Sequence, residues 1–305
     1  IIHLHTLKVL INTYCMGTVE QMAATLFPSN LETMDKLFKE LKSGKDFKPL
    51  SHKYNQIADH FTRVERIQTK GRKGISFVEF CERINKGIID YPSVERCLQQ
   101  YPKQSRLHSL KYAYNLYYGY IGNFGMWNAI NFLRRYKPKH VLDPTAGFGN
   151  RMIAACAVGV ETYTGIDSNK ELETPYRGLA KFLMERSTTK IHSIIDNALN
   201  IDYSKMNYDC VFTSLPYYSL EIYSHMPMYG SKQDWNENFY KPLIRKTFDG
   251  LSKNGIYALN VPAVIYDSCC VPIIGECIER IVLEKKQRKE GKGGDYHEFI
   301  YVYRK

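Results

Sequence analysis

The sequence predicts an α/β fold: a largely parallel sheet flanked by helices, with a helical region ahead of it. Three observations carry this. His140–Arg151 reads as strand, glycine turn, helix, because apolar Val141 and Leu142 run into Asp143 and Pro144, then Gly147 and Gly149, then Met152-Ile-Ala-Ala-Cys-Ala. From there to the end of the chain, short apolar runs alternate with helical patterns, the signature of a parallel sheet. The leading strands end on polar residues, at the edge where an open α/β sheet binds ligands.

The chain has 305 residues, 44% of them hydrophobic, enough for one large or two modest domains with a real core. Its 42 Lys+Arg against 31 Asp+Glu give +11, a balance that favours a polyanionic partner or simply a basic surface. Eight cysteines show neither C-x-x-C nor zinc spacing, so no metal site is expected and the thiols read as reduced. No apolar run approaches the ~20 residues that span a bilayer and no signal peptide pattern opens the chain. A soluble, intracellular protein, cytoplasmic or nuclear, is the expectation. The first residue is Ile1 rather than Met, as in a piece of something longer.

Residues 1 to about 105 read as mainly helical. Thr18 with Gln21, Ser29 with Glu32 and Ser76 with Glu79 have capping-box spacing. Behind them, apolar residues recur at helical intervals: Val19, Met22, Ala23, Leu26; Leu31, Met34, Leu37, Phe38, Leu41; and Phe77, Phe80, Cys81, Ile84. Helix 18–26, turn Phe27-Pro-Ser-Asn30 and helix 31–42 have helix-turn-helix proportions, with Lys36, Lys39 and Lys42 on the second helix; an ordinary helical hairpin reads the same way. The basic stretch 42–73 carries Lys45, Lys48, Lys53, Arg63, Arg66, Lys70, Arg72 and Lys73 with interleaved Phe47, Tyr54, His60 and Phe61. It suits phosphates and bases, or a solvated face.

Leu107, Leu110, Tyr114, Tyr117, Tyr118 and Ile121 trace one helical stripe, and Trp127, Ile130 and Leu133 another, leading into the first strand. Strands are expected at 140–143, 161–166, 191–195, 209–213, 256–261, about 281–285 and 298–303. The glycines of the first turn allow positive φ and close approach of a ligand, and the helix behind them offers free N–H groups. Asp167 ends the second strand 24 residues after Asp143, near the ~20 expected for an acid that accepts from ribose hydroxyls. The third strand runs into Asp196 and Asn197, where an acid can accept from an adenine amino group. Each of these is also a candidate helix cap.

The fourth strand ends Tyr208-Asp-Cys-Val-Phe-Thr-Ser-Leu-Pro-Tyr-Tyr218. With the glycine turn, this stretch resembles motif IV beside motif I of the S-adenosylmethionine-dependent DNA amino-methyltransferases, which methylate N6 of adenine or N4 of cytosine. In that family motif IV reads Asp, Asn or Ser, then Pro-Pro, then an aromatic; here it reads Ser214-Leu215-Pro216-Tyr217. Gly122-Asn-Phe-Gly-Met-Trp127 stands where the family has motif X, with Phe124 the residue expected over the methionine end of the cofactor. The resemblance covers about residues 122 to 305. It implies a class I methyltransferase, Rossmann-like, seven-stranded sheet with an antiparallel last strand, placed at 106–305 behind a helical region at 1–105 for target recognition or partner binding.

The implied cofactor is S-adenosyl-L-methionine. Its expected contacts are Phe124, Asp143 near the methionine ammonium, Thr145, Gly147, Gly149, Asp167, Asp196 and Asn197. The implied chemistry belongs to Ser214 and the Leu215 carbonyl, which accept from the target N–H bonds, to Pro216, which stiffens the turn, and to Tyr217, which stacks on the base. Leucine at 215 keeps the family proline's carbonyl but gains an N–H. Ser214 tilts the target toward cytosine N4. The segment Tyr218–Trp235 could close over a flipped base, with Glu221, Tyr223 and Trp235 as contacts. DNA is the expected partner, through 42–73 and the basic run 285–292, along with a possible protein partner on the N-terminal helices. Two other readings stand: an RNA or protein-amide methyltransferase, and a non-catalytic nucleic-acid-binding subunit.

Overall fold

The computed structural model describes residues 17–44, 51–88, 96, 99, 105–218, 221–223, 225–283 and 298–305. Seven strands form one sheet: β1 His140–Asp143, β2 Thr162–Asp167, β3 Lys190–Ile195, β4 Cys210–Ser214, β5 Ile256–Val261, β6 Glu279–Val282 and β7 Phe299–Arg304. Their order is β3-β2-β1-β4-β5-β7-β6, and β7 runs antiparallel to both of its neighbours. This is a Rossmann-like sheet of seven strands with the antiparallel last strand that the resemblance implies. Strand order departs in opposite directions from β1 and β4, so a crevice opens beyond their carboxyl ends.

Burial follows position. β5 is covered on both faces and every residue of Ile256–Val261 is buried, whereas β3 pairs with β2 alone among the described strands and none of its residues is fully buried. The sixth strand starts two residues earlier than the expected 281.

The helices ahead of the sheet are α1 Val19–Leu26, α2 Leu31–Ser43, α3 Asn55–Gln68, α4 Phe77–Asn85, α5 Arg106–Tyr117 and α6 Met126–Tyr136; α7 Asn150–Val158 and α8 Glu173–Met184 follow between strands. Thr18 and Ser76 form the expected capping boxes. Ser29 does not cap α2. Asn30 does, accepting from Thr33 N, while Ser29 Oγ lies 2.9 Å from His60 Nδ1 and ties the turn to α3.

A division at residue 105 does not hold as a boundary between cores. Met34, Leu37, Phe38 and Leu41 of α2 and Ile57 and Ala58 of α3 share one apolar cluster with Met152, Ile153 and Cys156 of α7 and Leu179, Phe182 and Leu183 of α8. The other helices group separately: Met22, Ala23 and Leu26 of α1 and Phe77, Phe80 and Ile84 of α4 pack with Leu110 and Tyr114 of α5. Helices on the two sides of residue 105 therefore share their cores.

The helix-turn-helix expectation fares as a helical hairpin. α2 turns its apolar face onto α7 and α8, Lys42 Nζ donates to the Arg186 carbonyl at 2.8 Å, and Arg186 pairs with Asp35. Much of the basic stretch is also committed internally. Arg66 is buried against Asp59, Arg63 donates to the Phe27 carbonyl, Arg72 to that of Leu116, Lys53 pairs with Glu40 and Lys70 with Glu79. Lys45, Phe47 and Lys48, and the whole run 285–292, lie outside the described residues. Among the described residues no helix is long and apolar enough to cross a membrane, and no cluster of His, Cys, Asp and Glu could hold a metal ion.

Candidate active site

The glycine turn between β1 and α7 uses its two glycines differently. Gly147 has φ of 61°, and a Cβ built on it would meet nothing within 4 Å, so its Cα faces open space that a ligand can approach. Gly149, at φ 91°, caps α7; a Cβ there would lie 2.6 Å from Leu179 Cδ2. Gly149 thus serves backbone shape and close packing of α8.

Asp143 is fully buried, and its oxygens accept from Arg151 Nε (2.7 Å) and a second Arg151 nitrogen (3.1 Å), from Tyr163 OH (2.7 Å) and from Thr213 Oγ1 (2.7 Å). Four donors fill the acceptor positions of one carboxylate. Asp143 braces the floor of the crevice. Thr145 belongs to the same brace, with its hydroxyl 2.7 Å from Thr213 Oγ1 and 3.0 Å from the Ser214 carbonyl, joining the first turn to the end of β4.

Asp167 is half-buried at the end of β2. Oδ2 accepts from Gly147 N (2.9 Å) and Oδ1 from Asn169 N (3.0 Å), which leaves acceptor capacity on both oxygens. Burial pushes its pKa up to about 6, against the pull of those two N–H groups. Asp196 is exposed at the sheet edge; its Oδ1 accepts from Asn197 N and Asn200 Nδ2, and its N–H donates to the Asp167 carbonyl, so the two acids stand side by side. Asn197 Oδ1 accepts from Leu199 N and caps the short helix Ala198–Asn200, the helix-cap role its position also allowed.

Helix α3 closes one wall of the crevice. Asn55 Oδ1 accepts from Asn150 Nδ2 (2.9 Å), which also donates to the Phe124 carbonyl (2.8 Å). Glu65 accepts from Asn169 Nδ2 (2.7 Å), and Arg66 donates to the Ile121 carbonyl (3.1 Å). Burial raises the pKa of both Glu65 and Asp59. Phe124 lies where motif X was expected, its ring edge-on to Phe212 of β4 at 5.5 Å and under the Arg151 guanidinium at 5.3 Å.

At the end of β4 the geometry centres on one residue that the sequence reading passed over. Asn260 of β5 pairs in register with Ser214, and its Oδ1 accepts from both Ser214 Oγ (2.9 Å) and Tyr217 OH (2.8 Å). Its amide nitrogen donates to the Phe299 carbonyl (2.9 Å), which fixes the amide's orientation. Ser214's proton is thereby committed to the protein, and its oxygen lone pairs are what remains to offer. The turn is cross-braced by Tyr240, whose hydroxyl donates to the Pro216 carbonyl (2.7 Å) and accepts from Tyr218 N (2.8 Å). Tyr218 sits at φ 53°, an uncommon conformation for a bulky residue, which that brace and its packing on Trp235 and Tyr240 sustain. Leu215 is buried in the apolar cluster of Trp235, Tyr240 and Leu243.

Of the expected base contacts, Trp235 is core, stacked on Tyr240 with centroids 5.7 Å apart and only 2% exposed. Tyr223 donates to Glu221, and between them Ile222 pairs with Lys70 in a two-bond bridge (3.1 and 2.9 Å) that fastens this segment to the end of α3. Residues 219, 220 and 224 of the proposed closing segment lie outside the described residues.

No family model matches this chain, and no curated protein matches it. Solved structures resemble its fold at low identity. TrmN from Thermus thermophilus is 17% identical with a TM-score of 0.43, over 59% of this chain and 49% of that one. TehB from Haemophilus influenzae is 14% identical with a TM-score of 0.40, over 63% and 66%. SMU.776, solved in complex with SAH, is 14% identical with a TM-score of 0.42, over 54% and 44%. These likenesses cover about half to two thirds of the neighbours' own lengths.

Asn260 left one signal in the sequence. It is the single polar residue in Ile256-Tyr-Ala-Leu-Asn-Val261, and a buried amide in a central strand needs partners. The polar residues of α3 left another. Half-buried Asn55 and buried Asp59, Thr62 and Arg66 recur at helical spacing among apolar neighbours, a polar stripe that reads as a solvated face until the helix is placed.

Proposed function

We propose that this chain transfers a methyl group from S-adenosyl-L-methionine to an exocyclic amine of a DNA base, cytosine N4 or adenine N6. The observation that carries this is the shared tether of Ser214 and Tyr217 on Asn260 Oδ1 at the carboxyl end of β4, beside the open Gly147 turn. The cofactor, when bound, supplies a sulfonium methyl. Residues present fit it: Asp167 retains acceptor capacity for a pair of hydroxyls, and Gly147 leaves room for close approach.

An exocyclic amine conjugated into its ring has little lone-pair density to offer. Acceptors aimed at its two N–H bonds draw the nitrogen toward tetrahedral geometry. Ser214 Oγ, with its own proton held by Asn260, is such an acceptor, and the Leu215 carbonyl is the second. Tyr217, fixed at its hydroxyl end, presents its ring to the base. Leu215 keeps the carbonyl function of the family's proline while its side chain anchors the turn in the core.

The test is mass spectrometry of nucleosides from duplex and single-stranded DNA incubated with the protein and methyl-labelled S-adenosylmethionine. Labelled N4-methylcytosine or N6-methyladenine is the expected result. Label appearing only in RNA or in protein amides would move the same chemistry to those substrates, and absence of label in all of them would remove the catalytic reading.

A further inference from the structure

Most described cations of the stretch 42–73 are held by internal partners, and two exposed ones stand together at the tip of a hairpin. Between α3 and α4, Lys70 pairs with Ser76 across a turn in which Gly74 N donates to the Gly71 carbonyl (2.8 Å). Arg72 and Lys73 lie exposed at that turn. The tip rests on the end of α5. A Cβ on Gly71 would meet the Tyr118 carbonyl oxygen at 2.3 Å, one on Gly119 would lie 3.3 Å from Arg72 N, and the Lys73 ammonium is 5.0 Å from the Tyr118 ring centroid. Arg72 donates one N–H to the Leu116 carbonyl (3.3 Å), a neutral acceptor that leaves its charge and its other donors unanswered. Among the described residues neither cation pairs with a carboxylate, and Glu79 at the base of the hairpin is taken by Lys70 and by the Ser76 N–H.

Tyr120 stands beside this tip. It is 57% exposed, and a Cβ on Gly122 would lie 3.0 Å from its Cε1, so the ring is seated over the Gly122 backbone and otherwise open to water. A ring placed in this way offers a π-face to an unpaired base. Two links join the surface to the segment that follows Ser214–Tyr217. The Gly122 N–H is directed at the Glu221 carboxylate, and Ile222 exchanges both backbone hydrogen bonds with Lys70 (3.1 and 2.9 Å). An acidic peptide would answer the cations and leave the ring without a partner. A nucleic-acid strand answers both.

We propose that Arg72, Lys73 and Tyr120 form a docking surface for the single-stranded nucleic acid that flanks the target base, the two cations meeting its phosphates and the Tyr120 ring stacking on one of its bases. The assignment rests on the methyl-transfer reading above. It gives the helical region ahead of the sheet a direct part in holding substrate, since the strand passes from the end of β4 along residues 221–223 onto the hairpin.

Fluorescence anisotropy of the full chain with labelled, mixed-sequence DNA and RNA of about 20 nucleotides, measured across a range of salt, tests it. Arg72→Gln combined with Lys73→Gln is expected to weaken single-strand binding about tenfold at low salt and to lower the slope of log K against log salt by about 1.4, the share of two phosphates. Tyr120→Leu is expected to weaken it about tenfold with the slope unchanged, and Tyr120→Phe to restore it. The charge control is Lys137→Gln with Lys253→Gln, which removes two exposed cations ahead of β1 and β5 and is expected to leave affinity within about twofold. Calorimetric affinity for S-adenosylhomocysteine should be the same in every variant, which separates these losses from damage to the fold. An equal loss in the control pair, no loss in the hairpin variant, or wild-type binding by Tyr120→Leu would overturn the surface. A wild-type chain that binds S-adenosylhomocysteine and none of the oligonucleotides would overturn it while leaving methyl transfer to another substrate. One that binds single strands through these residues and not S-adenosylhomocysteine would keep the surface and remove the methyl-transfer reading.

Discussion

The two sides of the crevice are built in opposite ways. On the side proposed for the cofactor, at the ends of β1 and β2, load is spread over many partners: Asp143 has four donors, Asp167 two backbone N–H groups, and α3 adds Asn55, Glu65 and Arg66 from far along the chain. On the side of β4, one amide oxygen of Asn260 positions both residues assigned to the chemistry. A distributed site tolerates loss of a single partner, while a hub does not. Variants of the two sides should therefore fail differently.

The largest effect is expected on the β4 side from the chemistry itself. Ser214→Ala and Tyr217→Ala should each lower single-turnover methyl transfer by about a hundredfold or more, since orientation of the reacting amine is what they supply. Calorimetric affinity for S-adenosylhomocysteine should stay nearly unchanged. Full turnover in Tyr217→Ala would mean that the target base lies elsewhere.

Next comes the hub. Asn260→Ala leaves both hydroxyls without their acceptor and frees the Ser214 proton to point at the substrate, so kcat should fall about tenfold or more with cofactor affinity intact. Asn260→Asp keeps the shared oxygen and should recover part of the loss. A fall in stability with kcat preserved would reduce Asn260 to a framework role.

Asn260 also marks where the sequence stopped being informative. The glycine turn, Asp167 and the Ser-Leu-Pro-Tyr turn were legible because each is local: the residues that give the strand, the turn and the polar end lie within a few positions of one another. All seven strands were placed within a few residues for the same reason. The Ser214–Asn260 pair spans 46 residues, and only the register of β4 with β5 brings the two together. The internal partners of Asp143 and Gly149 were not legible for the same reason: Arg151 and Leu179 could be placed against them only once α7 and α8 were docked. The packing across residue 105 was not legible because the reach of a resemblance says nothing of contacts, and α2 and α3 bury their apolar faces on α7 and α8 between the strands.

On the side proposed for the cofactor the expected losses are graded and pH-dependent. Asp167→Ala should weaken cofactor binding about tenfold, the cost of hydrogen bonds to a charged acceptor. With its pKa near 6, the wild-type carboxyl is ionised and a full acceptor at neutral pH and becomes protonated below about 6. Affinity measured from pH 8 to 5 should be flat and then fall through that value, and Asp167→Asn should remove the inflection. An inflection that survives in Asp167→Asn would belong to Glu65 or Asp59, whose pKa values burial also raises.

The smallest effect is expected where the chain departs most visibly from the resembling motif. Leu215→Pro would restore the Pro-Pro pair. The backbone carbonyl assigned to the amine survives the change, and Tyr240 still braces the turn through Pro216 and Tyr218, so methyl transfer should stay within about threefold. The cost falls on packing. Leu215 is 2% exposed among Trp235, Tyr240 and Leu243, and proline fills less of that space, worth about 1 kcal/mol or a lowering of Tm by about 2 °C. If transfer instead collapsed while the fold persisted, the N–H that leucine adds, or the φ that proline forbids, would be part of the site. The β4 side would then depend on a second fixed point besides Asn260.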